Sequence, residues 1–320
     1  MRCRKCGTPA AINMREHKLS LCAEHYPAWF IEQTERTIHK YKMFTHNDRI
    51  LVAVSGGKDS LALWDVLLQL GYQADGFYID LGIDGGLNYS AQSKEKAQAF
   101  ATGHPEARLI VADIPALYGE SIPQTAKRTH RQKRLCSVCG LIKRHEMNRV
   151  ALEGDYSVLA TGHNLDDEAA VLFGNVLHWQ VGYLLRQGPV LPADGQGLAR
   201  KVKPFCHFYE RETAAYALIQ GIDYMYDECP FAQGATSLSH KATLNQMEHQ
   251  SPGAKRHFYT KFIKAKENGL FNTSDNDRPD MQPCPQCGQP TTSDSLCSFC
   301  RLWEPDHKGA LSTDLTETSV

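Results

Sequence analysis

The sequence predicts an α/β fold: a parallel sheet covered by helices on both faces, with a small cysteine-rich module at each end. Three features predict it. Apolar strand-like runs alternate with helical patterns from about residue 49 to residue 179. A glycine-rich turn, SGGKDS at 55–60, lies between the first such run and the first such helix. Paired cysteines gather at 3–25 and 284–300, in stretches too short to build a core of their own.

Taken in order, residues 1–28 form the first module. WFIEQTERTIHKYKMF, within 29–48, carries apolar residues at helical spacing. RILVAVS reads as a buried strand, and DSLALWDVLLQLG, closed by Gly71, as the helix behind it. ADGFYID is a second strand, SAQSKEKAQAFAT an exposed helix, and ARLIVADI a third strand. GLIKRHEMNRVALEG predicts a helix following Cys139, YSVLATGH a fourth strand, and LDDEAAVLFGNVLHW its helix. Beyond a Pro/Gly-rich connection come a helix near ERETAAYALIQ, a strand-like IDYMY, and a long helical region from about Ser239 to Lys266. Residues 29–267 then make one domain. Residues 268–282, NGLFNTSDNDRPDMQ, have linker composition. A second module spans 283–303, and 304–320 reads as a disordered tail.

At 42% hydrophobic and 22% charged residues the chain is globular. No apolar run approaches the ~20 residues that cross a bilayer, and MRCRKCGTPA lacks the apolar centre of a signal peptide. A soluble cytoplasmic protein is expected. The net charge of −1 hides a local excess: eight Lys/Arg against one acid, Glu146, between Lys127 and Arg149. That excess suits either a polyanion partner or a solvated helix face.

SGGKDS follows what is expected to be the first strand of a parallel sheet, where open α/β sheets place ligands. Gly56 and Gly57 let backbone N–H groups approach an anion, and the helix start adds donors and positive dipole. The hydroxyls of Ser55 and Ser60 suit phosphate oxygens. Lys58 adds charge, and Asp59 either caps the helix or holds Mg²⁺. This is not a Walker A loop, which requires GxxxxGK[ST].

Eleven cysteines include four CxxC pairs: Cys3/Cys6, Cys136/Cys139, Cys284/Cys287 and Cys297/Cys300. In a reducing compartment this is metal-site spacing rather than a disulfide framework. Cys3, Cys6, Cys22 and His25 read C-x2-C-x15-C-x2-H. Cys284, Cys287, Cys297 and Cys300 read C-x2-C-x9-C-x2-C. Each set suits a closed, structural Zn²⁺ whose binding supplies much of the module's folding energy. Cys206 reads as a core thiol. Cys136, Cys139 and Cys229 remain. Three thiolates cannot close a four-cysteine site; they suit a [4Fe–4S] cluster with one iron left open. A persulfide or disulfide between Cys139 and Cys229, or a structural role, are the other readings.

SGGKDS resembles the PP-loop of the ATP-pyrophosphatase superfamily, whose members cleave ATP between the α- and β-phosphates and adenylate a substrate. LATGHNLDDEA, the CSVCG pair, the later lone cysteine in DECPF and the terminal Cys/His modules are similar to the TtcA/TtuA family of tRNA thiolation enzymes. The similarity covers about residues 1–303. It implies a PP-loop domain flanked by two zinc modules, with ATP at Ser55–Ser60. It assigns a [4Fe–4S] cluster to Cys136, Cys139 and Cys229, its free iron binding sulfide. It implies adenylation of a uridine C2 oxygen followed by sulfur transfer, most closely at position 54 of the tRNA T-loop. It also implies a small ubiquitin-like carrier with a C-terminal thiocarboxylate as sulfur donor, and a homodimer.

Lys143 lies four residues after Cys139, on the same helical face. It reads as one more member of the basic stretch or, by the resemblance, as a catalytic lysine. Gly162, at the end of the fourth strand, permits close approach to a nucleotide. His163 and Asn164 share its turn. Asp166 and Asp167 complement a helix dipole, and the resemblance makes Asp167 a catalytic carboxylate. The superfamily fold places the backbones of Ala53 and Ile79 against adenine. Phe205, Phe208 and Tyr209, beside Lys201 and Lys203, read as core or as an RNA-stacking surface. Two other functions fit the sequence: thiolation of wobble uridine 34, and a non-catalytic zinc-ribbon RNA-binding protein.

Overall fold

The computed structural model describes residues 1–86, 88–131, 135–193, 195, 197–232, 236–271, 281–303 and 316–317. The first module is a small antiparallel pair, β1 (Ile12–Met14) and β2 (Leu19–Leu21), followed at once by α1 (His25–Lys40). The domain then alternates: β3 (Arg49–Val54), α2 (Lys58–Gln69), β4 (Gln73–Asp80), α3 (Tyr89–Thr102), β5 (Leu109–Asp113). Three helices come next, α4 (Ile114–Tyr118), α5 (Ile122–Arg128) and α6 (Leu135–Glu153), then β6 (Val158–Thr161), α7 (Leu165–Leu177) and α8 (Val181–Leu185). Two short strands, β7 (Val190–Leu191) and β8 (Lys201–Val202), precede α9 (Glu210–Ile219), α10 (Thr236–Gln250) and α11 (Ala254–Glu267). The second module holds β9 (Gln282–Pro283), β10 (Pro290–Thr291) and α12 (Cys300–Trp303). Finally β11 (Thr316–Glu317) pairs antiparallel with β5.

The main sheet runs β11-β5-β4-β3-β6-β8-β7. Its centre, β5-β4-β3-β6-β8, is parallel, and the outer strands β7 and β11 are antiparallel. The chain steps from β3 to β4 and β5 on one side, and from β3 to β6 on the other. β3 is therefore the switch strand, beside which such sheets open a crevice for ligand. Ile50, Val52 and Val54 face one layer and Leu51 the other, giving β3 the continuous apolar run of a strand buried on both faces.

Several elements depart from the sequence expectation. IDYMY forms no strand; it runs past the glycine turn, where the Met225 N–H donates to Gly56 O at 2.8 Å. The helical region from 239 to 266 is two helices, broken at Ser251–Pro252–Gly253, where Gly253 takes φ +95°. Cys136 and Cys139 lie inside α6, not ahead of it. Thr316–Glu317 forms an edge strand within the stretch read as a disordered tail; the rest of that tail and most of 268–282 lie outside the described residues. Phe205, Phe208 and Tyr209 are core side chains, at most 3% exposed, so the stacking alternative fails. Cys206 is fully buried, as read.

Candidate active site

The glycine turn sits at the carboxyl end of β3. Gly56 takes φ +76°, and a Cβ there would lie 2.3 Å from the Ser93 carbonyl oxygen. Only glycine fits, because α3 presses on the turn from outside. Ser60 knits the turn together: its hydroxyl accepts from the Ser55 N–H at 3.0 Å and donates to Gly57 O at 3.0 Å. α2 begins at Gly57 with no side-chain cap, which leaves the first N–H groups of a twelve-residue helix facing the turn. Across the crevice, Gly162 ends the β6 segment; a Cβ there would meet Asp59 O at 2.7 Å.

A cavity of about 320 Å³ opens between these ends. Ser55, Asp59, Ser60 and Gly162 border it, as do Ala53 and Ile79. Lys143 enters from α6 and Asp167 from α7. Tyr89 and Ser93, unweighed in the sequence reading, complete the α3 side. Asn164 caps α7, accepting from the Asp166 and Asp167 N–H groups, and donates to Asp59 Oδ1 at 3.2 Å. Asp166 points elsewhere: it accepts from the Glu210 N–H at 3.0 Å and pairs with Lys255.

Charges below the cavity are tightly matched. Lys58 Nζ lies 3.1 Å from Asp59 and 2.9 Å from Glu210. Burial works against the Lys58 ammonium, but Asp59 and Glu210 outweigh it and hold its pKa above the ordinary value. Burial raises the Asp59 carboxyl, despite Lys58 and a hydrogen bond from Thr213.

The three remaining cysteines stand beside this cavity. Cys136 Sγ donates to Phe231 O at 3.3 Å, in the turn that also carries Cys229. Cys139 and Cys229 pack into one cluster with Leu81, Tyr89 and Val138. Burial raises the Cys139 thiol, Lys143 opposes the shift, and the neighbouring Cys229 and Cys136 add to it. The trio is not among the sets whose donor atoms converge within 4.8 Å. Three half-buried or exposed thiols that do not converge on one point suit a multi-iron cluster better than a single ion, and would hold it with one iron lacking a protein ligand.

The terminal modules differ from the trio. Cys3, Cys6, Cys22 and His25 bring all four donor atoms within 4.8 Å, and so do Cys284, Cys287, Cys297 and Cys300. Cys6–Cys22 is 3.7 Å, Cys284–Cys300 3.8 Å and Cys287–Cys297 3.7 Å. A tetrahedral Zn²⁺ with bonds of 2.3 Å needs sulfurs about 3.8 Å apart. Both sets fit it. The hydrogen bond with His25 brings Cys22 down to about 6, the thiolate form a metal requires.

Residues 2–27 match the family model described as 2-thiouridine synthetase TtuA, N-terminal LIM domain, and residues 30–232 match the PP-loop domain model. A tRNA-5-methyluridine(54) 2-sulfurtransferase of Thermus thermophilus is 47% identical over 320 residues, covering 100% of this chain and 96% of the relative. The chain belongs to this sulfurtransferase family. A second sulfurtransferase of the same description, from Thermotoga maritima, is 41% identical over 94% of this chain and 96% of its own length. Among solved structures, the U34-tRNA thiolase NcsA from Methanococcus maripaludis, with its [4Fe-4S] cluster, superposes with TM-score 0.74. It covers 94% of this chain and 95% of that one at 22% identity, which establishes a shared fold.

In this member of the sulfurtransferase family, the structure brings Ser55, Asp59, Ser60, Gly162, Lys143 and Asp167 to one crevice, while Gly57 and Lys58 form the helix start beside it. The basic stretch proves uneven. Arg149 is spent on Glu146 at 2.7 Å and Glu153 at 2.8 Å, and Arg128 on Glu120 and the Leu302 carbonyl. Lys133 and Arg134 lie outside the described residues. Glu210, Thr213 and Lys241 were missed. Their only local signal is polarity, which does not say where a helix will dock.

Proposed function

We propose that this chain makes 2-thiouridine in tRNA, at (5-methyl)uridine 54 of the T-loop, by adenylating the C2 oxygen and replacing it with sulfur. The observation that carries the reading is the single crevice. It has the glycine-rich turn at one end and Lys143 and Asp167 on the walls, and its Leu81 and Tyr89 belong to the apolar cluster against which Cys139 and Cys229 pack. ATP lies with its phosphates on the Ser55–Ser60 turn and its adenine toward Ala53 and Ile79, with Mg²⁺ at Asp59. The uridine O2 attacks the α-phosphorus; the O2–P bond forms, the bond to the β-phosphate oxygen breaks, and pyrophosphate leaves. Turn N–H groups and Lys143 hold the charge that builds on the phosphoryl oxygens. Asp167 accepts a hydrogen bond from N3–H, which raises electron density on O2. AMP is then the leaving group from C2. Cys136, Cys139 and Cys229 would hold the cluster, which when bound supplies a metal-held sulfur nucleophile.

The donor we infer is a small ubiquitin-like protein ending in a thiocarboxylate, the working unit a homodimer and the compartment the cytoplasm. We take 1–28 and 283–303 as metal modules flanking a 29–267 catalytic domain joined by 268–282. A uridine inside folded tRNA has to be extruded to reach the crevice.

The experiment is anaerobic: reconstituted protein, ATP, sulfide and unmodified tRNA, with nuclease fragments read by mass spectrometry. A gain of one sulfur for oxygen in the T-loop fragment, with one AMP and one pyrophosphate per event, is expected. Sulfur in the anticodon fragment alone would move the target to uridine 34. No pyrophosphate release would leave an RNA-binding protein.

A further inference from the structure

α10 is bound to the domain in an unusual way. Leu244 is its buried residue, packed with Ala169 and Ala170 of α7. The rest of the inward stripe, Lys241, Asn245 and Glu248, is polar at helical spacing. Asn245 accepts from Lys255 Nζ at 2.7 Å, and Glu248 accepts from the Tyr209 hydroxyl at 3.1 Å. Lys241 reaches furthest, lying 2.6 Å from Asp167 Oδ1 and 3.2 Å from Glu210 Oε2.

These contacts link into one chain of charges: Asp59, Lys58, Glu210, Lys241, Asp167. Both ends border the cavity, and Glu210 is shared by the two lysines. Asp167 and Lys241 are only 27% and 19% exposed. Among the described residues, Lys241 is the cation paired with Asp167. Burial pulls the Lys241 ammonium toward neutrality, but Asp167 and Glu210 overcome it and push its pKa upward. A pair like this adds little to folding, because desolvating both charges offsets their attraction. It does fix the rotamer of the carboxylate it holds.

We propose that Lys241 is a positioning residue for the reaction: it keeps the Asp167 carboxylate aimed into the crevice, and Glu210 couples it to the phosphate-turn lysine, Lys58. This rests on the role given to Asp167 above. Phosphates that draw Lys58 away from Glu210 leave Glu210 to Lys241 alone, so filling the turn alters the grip on Asp167. The site thereby senses whether ATP is in place before the base is engaged.

The test compares Lys241→Met, Lys241→Arg, Glu210→Gln and the double variant Lys241→Met/Glu210→Gln with the unaltered chain in the thiolation assay. Lys241→Met should lower kcat by about 10- to 100-fold, the range seen when the partner that orients a reactive ligand is removed. KM for tRNA should stay within about twofold and the melting temperature should hold, because α10 keeps its other contacts. Lys241→Arg should recover most of the lost kcat. The double variant should be no worse than the poorer single one, as expected of residues acting through one link. Full kcat in Lys241→Met, equal losses in the Met and Arg variants, or additive losses in the double variant would each overturn the proposal. Thiolation by the unaltered chain tests the preceding reading, and the ratio of variant to unaltered chain tests this one, so the two fail separately.

Discussion

The two terminal modules share a donor chemistry but join different parts of the molecule. Cys3, Met14, Leu21 and Cys22 run straight into the main core through Tyr26, Trp29 and Phe30 of α1. The Tyr26 hydroxyl closes the joint by donating to Glu212 O at 2.8 Å. The C-terminal module instead sits on α6. Phe299 stacks on His145 at 3.5 Å and 2°, and Trp303 stacks on Tyr118 at 4.8 Å. Gln289 donates to the His145 carbonyl and accepts from Asn148. Cys284, Cys297 and Cys300 share an apolar cluster with Val138 and Ile142 of α6, against which Cys139 and Cys229 pack. One metal braces the fold; the other braces the helix that carries Lys143.

Removing each metal should therefore give opposite signatures. The largest effect is expected from Cys3→Ala/Cys22→Ala: loss of a structural metal site costs several kcal/mol, on the order of 10 °C or more in melting temperature for a chain this size. Cys284→Ala/Cys297→Ala should lower the melting temperature less and thiolation more. Equal losses of melting temperature in parallel scanning calorimetry would break the comparison. A smaller probe is Phe299→Ala, which removes a fully buried ring and should cost about 3 kcal/mol. Its signature is local, with faster hydrogen exchange along Leu135–Glu153 and unchanged exchange in His25–Lys40.

The parts legible in the sequence are those written locally. The alternation of strand and helix, the turn at 55–60 and both metal sets follow from neighbours within about twenty residues. The crevice is less local. Ser93 and Tyr89 reach it because β4 lies beside β3, and nothing in YSAQSKEKAQAFAT announces that. Lys241 is the hardest case, because SLSHKATLNQMEHQ has no strong apolar face to reveal how it docks. The basic stretch is legible as charge but not as a surface. Charge count cannot show that Arg149 faces the buried Glu146.

A separate effect is expected on acid stability, at the far end of α1. The Tyr41 hydroxyl and His207 Nε2 share a hydrogen bond of 2.8 Å, and burial brings His207 down to about 3. The unfolded imidazole takes a proton near 6.5. The native state thus binds fewer protons between those values, and stability present above about pH 6.5 drains away as pH falls toward 3. His207→Gln should flatten the stability curve over that window in urea titrations at stepped pH. An unchanged slope would show that other groups carry the acid sensitivity of this half.

Gly56 has one more consequence. The turn is wedged between the Ser93 carbonyl on one side and the Met225 amide on the other. Its shape is thus set by neighbouring backbone, and an arriving triphosphate need not freeze a floppy loop. Little of its binding enthalpy is consumed in ordering the receptor. The recognition step should behave as a key entering a cut lock, with calorimetric entropy dominated by released solvent rather than by a stiffening backbone.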